Sequence, residues 1–450
     1  MALKQFAIAS MLALLAACSS VEVQPQASTT PPVRSSDFAE AQALARGHAG
    51  LTGQARADNA ARIDALLARL ANGELSRGAA NLPEGDPLYT FAGRALLNRG
   101  LPLPRAFDRS DWRFDAAGRP PADQDGYRPP MKVALLLPLS GSQASAAAAV
   151  RDGFLAGYYG ERRRRPEVRF YDTASGTGAA YSRAMAEGND FVVGPLGREE
   201  VDVVFANDAA PVPMLALNRG SRTPPAGSAS FSLSPEDEGI TAAEYLLEAG
   251  ARRVLVIAGS EDNQRRAASA LQDRLRLRGA QVVALVDYNA ATLLSLPADA
   301  QVDAVFLALK GAQARALAPQ LNAAGLAVVP RVATSQIVSG TGKASEDVLL
   351  DGILFPTETW GVHGVAGLPS QASVASRIDT AKGAAARLFA FGFDAWLVTA
   401  YLERLALSAN ADVPGATGRL SLDGDGNVLR RPSWSRFSGG MPVPLADGAR

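Results

Sequence analysis

The chain has 450 residues, and its 45 lysines and arginines balance 45 aspartates and glutamates. A net charge of zero leaves no electrostatic footprint for nucleic acid. One cysteine excludes a disulfide scaffold, and one cysteine with two histidines cannot build a Cys/His zinc cluster.

Met1 to Cys18 reads MALKQFAIASMLALLAAC. Lys4 gives a positive start, and Phe6 to Ala17 is an uncharged stretch of signal-peptide length, too short to span a bilayer. It ends Leu15-Ala16-Ala17-Cys18, which resembles a bacterial lipobox. In that reading Cys18 is lipidated and becomes the first mature residue; the alternative is a plain signal peptide with an incidental thiol. Several acyl chains anchor a protein stably. In the lipoproteins this resembles, Asp after the cysteine favours inner-membrane retention, so Ser19 points to the periplasmic face of the outer membrane. Residues 19–35 are rich in Pro, Thr and Ser without periodicity, the pattern of a disordered tether.

Residues 36–100 carry helical spacing. Ser36-Asp37 caps a first helix, Leu66, Leu67 and Leu70 lie on one face of a second, and Asp86-Pro87 opens a third that Gly100 closes. Residues 101–130 are rich in Pro, Asp and Arg and read as a linker. From Met131 short aliphatic runs alternate with helices. VALLLPL, VRFYD, FVVGPL and PMLALN form one set; after Ser234-Pro235-Glu236-Asp237 the alternation restarts with RVLVIAG, VVALVDY, AVFLAL and VPRVATS. Buried strands separated by helices predict parallel βαβ units. The expectation is two doubly wound α/β lobes, 131–233 plus 356–413 and 234–355 plus 414–440, with crossings near Phe231–Ser234, Leu354–Thr357 and Asp412–Thr417. LSLDGDGNVLRRPSWSRF reads as a hairpin.

VALLLPLSG followed by AVRDGF, together with FVVGPL, resembles the type I periplasmic-binding proteins. Val193-Gly194-Pro195-Leu196, Leu215 to Arg219, Leu233 to Glu238, Leu388 to Ala395 and Gly415 to Ser421 resemble, within that class, the penicillin-binding-protein activator family of outer-membrane lipoproteins, the LpoA/LppC type. The longer relatives carry a sizeable helical-repeat domain where this chain has a short helical segment. The resemblance implies a non-catalytic regulator whose partner is a class A penicillin-binding protein, a peptidoglycan synthase. The alternative is a receptor lipoprotein for an amino acid or related small molecule, serving an ABC transporter or a sensor.

In such sheets ligands sit outside the carboxyl ends of the strands. Ser140 and Ser142, flanking Gly141, either present a carboxylate-binding helix start or cap that helix. Arg198, Asn218 and Arg219 follow the next strands, either as cleft ligands or as strand-end braces. Where amino-acid receptors offer small hydroxyl residues, this chain has Leu196 and Leu217. Glu261, Lys310 and Ser335 follow strands of the second lobe. Arg162 to Arg165 complement a helix C-terminus. His363 lacks partners for a triad, and Asp423, Asp425 and Asn427 read as hairpin turn residues rather than a calcium loop. No catalytic residues, metal site or cofactor are expected; there is no Gly-x-Ser-x-Gly and no phosphate loop.

Overall fold

The computed structural model describes residues 36–109, 112, 114, 118–206, 210–289, 301–339 and 342–445. Cys18 and the tether lie outside the described residues.

The helical segment comprises α1 (Ser36–His48), α2 (Gly53–Arg69), α3 (Asn72–Ala80) and α4 (Leu88–Asn98). The sequence reading missed α3, whose short, Gly-containing stretch has little periodicity. Leu66, Leu67, Leu75, Leu88 and Leu96 share one core with Phe38. The final carbonyls of a helix have no partner within it; here Arg99 donates to Leu67 O, Ala68 O and Leu70 O.

The linker reading of 101–130 is corrected. Leu103 and Phe107 are buried in the helical core, Tyr127 enters the core of the first lobe, and the arginine run fastens this strap. Arg163 pairs with Asp125 and Glu161 and lies over the Tyr127 ring at 3.7 Å. Arg164 donates to Pro130 O.

The first lobe runs β1 (Lys132–Leu137), α5 (Ala144–Gly160), β2 (Glu167–Asp172), α6 (Thr177–Ala186), β3 (Phe191–Val193), α7 (Arg198–Val204), β4 (Met214–Ala216) and β5 (Ala229–Phe231). Its neighbouring strands pair in parallel, as continuous apolar runs require when helices cover both faces. The second lobe runs α8 (Pro235–Glu248), β6 (Arg253–Ala258), α9 (Asp262–Leu277), β7 (Gln281–Asp287), β8 (Ala304–Ala308), α10 (Gly311–Ala323), β9 (Arg331–Ala333) and β10 (Leu354–Thr357), again parallel. The chain then returns to the first lobe. Its long helix α11 (Ala385–Leu407) packs on α5 so closely that a Cβ on Gly153 would stand 1.8 Å from Phe389 O, and one on Gly392 1.9 Å from Val150 O.

The third crossing and the assignment of 414–440 to the second lobe are also corrected. β11 (Val413–Pro414), β12 (Arg419–Leu422) and β13 (Asn427–Arg431) extend the first sheet. β13 lies parallel to β5, Val428 opposite Phe231. The open edge of β5 takes up this hairpin, burying Leu420, Leu422 and Val428 in the first core. Only after Pro432 does β14 (Ser433–Ser438) join the second sheet, antiparallel to β10, followed by β15 (Met441–Pro444). The crossings therefore fall at 232–234, 358 and 432. The turn residues behave as read: Asp423 Oδ1 accepts from the backbone N–H of Asp425 and Asn427.

Candidate functional site

The cleft lies where the strand ends of the first lobe face the start of α8. That helix begins with Ser234, whose hydroxyl accepts from Asp237 N, and Pro235, with Glu236, Asp237 and Glu238 in the first turn. Acids there complement the helix dipole, but each also has a partner elsewhere.

Glu238 is buried. It accepts from Ser335 N at 2.9 Å and Ser335 Oγ at 2.8 Å, and Arg387 of α11 reaches across from the first lobe to pair with it. Arg387 also stands 3.2 Å from Glu358 at the second crossing. Burial alone would raise the Glu238 carboxyl; Arg387, Arg430 and the Ser335 donors overcome this and hold it below the ordinary carboxylate range. A second pair spans the lobes at 2.7 Å, Arg219 to Asp237. Burial would lower the Arg219 guanidinium, and the facing Asp237 charge outweighs it. The chain's own charges thus fill the middle of the cleft.

Of the residues singled out from sequence, Arg219 and Ser335 belong to these bridges. Asn218 is a strand-end brace: its amide donates to Leu196 O at 3.0 Å and its oxygen accepts from Arg219 N. Glu261 and Lys310 form an exposed ion pair with each other. Ser140 donates to Asp172 at 2.7 Å. Ser142 lines a shallow pocket with Ser140 and Arg198, and neither serine caps α5, which starts after Gln143 without a side-chain cap. Arg198 is exposed.

Glu238, Arg387 and Arg430 escaped the sequence reading. Glu238 looks like one more first-turn acid. Arg387 did carry a signal, as a lone cation in the apolar stretch AARLFAFGF.

Outside the cleft the helical segment touches both lobes. Arg94 of α4 pairs with Asp425 of the hairpin, and Asn410 Nδ2 donates to Leu103 O at 2.9 Å. From the second lobe Arg278 donates to Ala68 O at 3.0 Å, beside Arg99. Burial lowers the Arg99 guanidinium to about 9, with Arg278 adding repulsion.

Two doubly wound lobes, three crossings and a cleft at the strand ends define the periplasmic-binding-protein class. A Chromobacterium violaceum structure described as a putative branched-chain amino acid ABC transporter has the same fold. It is 27% identical with a TM-score of 0.55, covering 68% of this chain and 100% of that one. Within the class, the chain belongs to the family described as "LppC putative lipoprotein", whose model matches residues 126–296 and 290–440. The LpoA (YraM) C-domain from Haemophilus influenzae, a regulator of PBP1A, is 25% identical at a TM-score of 0.61, covering 70% of this chain and all of that one. The penicillin-binding protein activator LpoA of Photobacterium profundum is 27% identical over an aligned length of 358, and the match covers 70% of this chain and 57% of the relative. The chain therefore spans little more than half the length of that relative.

Proposed function

We propose that this chain is a non-catalytic lipoprotein that binds and activates a class A penicillin-binding protein, with Cys18 lipidated and the protein held at the periplasmic face of the outer membrane. The observation that carries the reading is family membership across both lobes, joined to relatives named for that activation. The cleft supports it, because the Glu238–Arg387–Ser335 cluster occupies its middle with protein charge. Activation without chemistry requires binding the active synthase better than the inactive one. A coupling of ~1–3 kcal/mol yields roughly 5–150-fold stimulation. The test is glycan polymerisation by a purified class A synthase with the full chain added: stimulation in that range supports the reading, and none overturns it. For the anchor, Cys18→Ser should abolish fatty-acid labelling and release the protein from outer-membrane fractions. A variant that still labels and still fractionates there removes the lipidation claim.

A second reading, a ligand receptor for a transporter or sensor, is favoured by the fold shared with the Chromobacterium protein. Capture from envelope extract separates the two by whether a synthase or a permease is retained.

A further inference from the structure

The four-arginine run after α5 divides its work. Arg163 and Arg164 fasten the strap, Arg163 on Asp125 and Glu161 and Arg164 on the carbonyls of Pro129 and Pro130. Arg162 and Arg165 are exposed, and neither has an acid partner among the described residues. Of Arg162 only the backbone N–H is engaged, donating to Glu161 at 2.8 Å. Arg165 is held without being neutralised: it donates to Tyr158 O at 3.3 Å and lies over the Tyr158 and Tyr159 rings at 4.9 and 5.8 Å.

The neighbourhood supplies no counter-charge. Asp123, Asp125 and Glu161 all go to Arg163, and Glu167 goes to Arg169 at 2.8 Å. The adjoining loop, whose Gly367 O would stand 2.9 Å from a Cβ on Gly160, lies in a stretch, 360–378, with neither Asp nor Glu. Beside the two guanidiniums Tyr159 is 70% exposed, and Phe170, on the edge strand β2, is exposed too. Val168 packs on the first core with α5, so alternation puts Phe170 on that same face of the sheet. The pull of a helix C-terminus on a cation accounts for Arg165, which reaches a last-turn carbonyl. It accounts neither for Arg162 nor for the tyrosine in water. Tyrosine and arginine are the residues that dominate binding energy at protein interfaces, and stacking has already fixed Arg165 in place.

We infer that this face of the first lobe docks a carboxylate-bearing segment of the class A synthase. Carboxylates pair with Arg162 and Arg165, and Tyr159 packs against the partner between them. Because α5 runs back from the carboxyl end of β1, its last turn lies at the amino ends of the strands, away from the cleft. The inference rests on the activator reading and adds where the synthase is held. A lipid surface fits the patch less well, since basic membrane patches gather four to eight cations and only two are free here.

The test measures binding of the full chain to a purified class A synthase in detergent, with glycan polymerisation read alongside. Arg162→Glu, at a side chain the fold does not use, should weaken binding roughly tenfold, and Arg162→Glu/Arg165→Glu roughly a hundredfold. Tyr159→Ala should also cost roughly tenfold, with each fold checked by circular dichroism. Binding of the parent should weaken with added salt, and that of the double variant should respond less. Arg46→Glu/Arg276→Glu makes the same charge change at exposed positions elsewhere and should bind like the parent. If the parent stimulates the synthase and the patch variants match it, or if the control pair loses as much, the inference fails and the activator reading stands. Patch variants that match the parent on the synthase but, in a Cys18→Ser background, lose adsorption to phosphatidylglycerol vesicles would assign the patch to a membrane instead. A parent that neither binds nor stimulates removes the activator reading and this inference with it.

Discussion

Asp394 sits wholly buried within α11 and accepts from Ala416 N, from Thr417 N at 2.8 Å and from the Thr417 hydroxyl, pinning the 414–418 loop to the helix. Burial pushes its carboxyl up to about 7, against the pull of those donors. The sign follows from proton linkage. A carboxyl raised on folding makes the native state hold the extra proton, so its contribution is fully present below pH ~4 and is lost as the pH climbs to about 7. Over that window the loss is on the order of 4 kcal/mol. Asp394→Asn keeps the shape and removes the titration. Denaturant melts of both proteins between pH 4 and 8 should show the stability gap moving in the variant's favour as the pH rises. A constant gap would mean that Asp394 stays ionised in the fold.

Among the elements, the α5–α11 contact sets the geometry of the first lobe. Gly153 and Gly392 let the two backbones meet, and a methyl on either would overlap a carbonyl oxygen. Backbone cannot rotate aside as a side chain can. Gly153→Ala and Gly392→Ala should therefore each cost about 1–3 kcal/mol, read as a lower denaturation midpoint, while Gly176→Ala, a cap glycine with open space around it, tests backbone conformation rather than crowding. Element existence was legible because aliphatic runs such as LLL in β1 and VLVI in β6 need no context to be recognised as buried. β5 was not, because its three residues Ala-Ser-Phe carry no run; only its neighbours make it a central strand. The destination of the 419–431 hairpin was hidden for a related reason. Turn chemistry fixes that β12 pairs with β13, but nothing local says that β13 will lie against β5, nearly 200 residues earlier. The cleft was half legible: strand ends pointed to Arg219 and Ser335, whereas the Glu238–Arg387 bridge joins positions 149 apart and leaves no local pattern.

At the scale of the whole molecule, the lobes are held by buried charge across the cleft and braced outside by the helical segment. Removing one member of a buried pair leaves the other charged and stranded, which costs roughly 3–5 kcal/mol, whereas replacing both by neutral groups of similar volume often restores stability. Arg387→Met strands Glu238, whose remaining donors are both on Ser335 of its own lobe. The prediction is a large loss of stability for Arg387→Met and recovery of most of it in Glu238→Gln/Arg387→Met. The pair also gives the lobe contact a pH dependence opposite in sign to that of Asp394. Because Glu238 is held below its ordinary range, the bridge is fully present above pH ~4.5 and fails as the pH falls through the lowered value. If it is what keeps the cleft shut, small-angle scattering should report a larger radius of gyration for the double variant at neutral pH, with secondary structure unchanged. Identical scattering curves would assign closure instead to Arg219–Asp237 and to Arg278 on the end of α2. Adding Arg278→Ala to the double variant then measures how much of the closed arrangement the helical brace maintains.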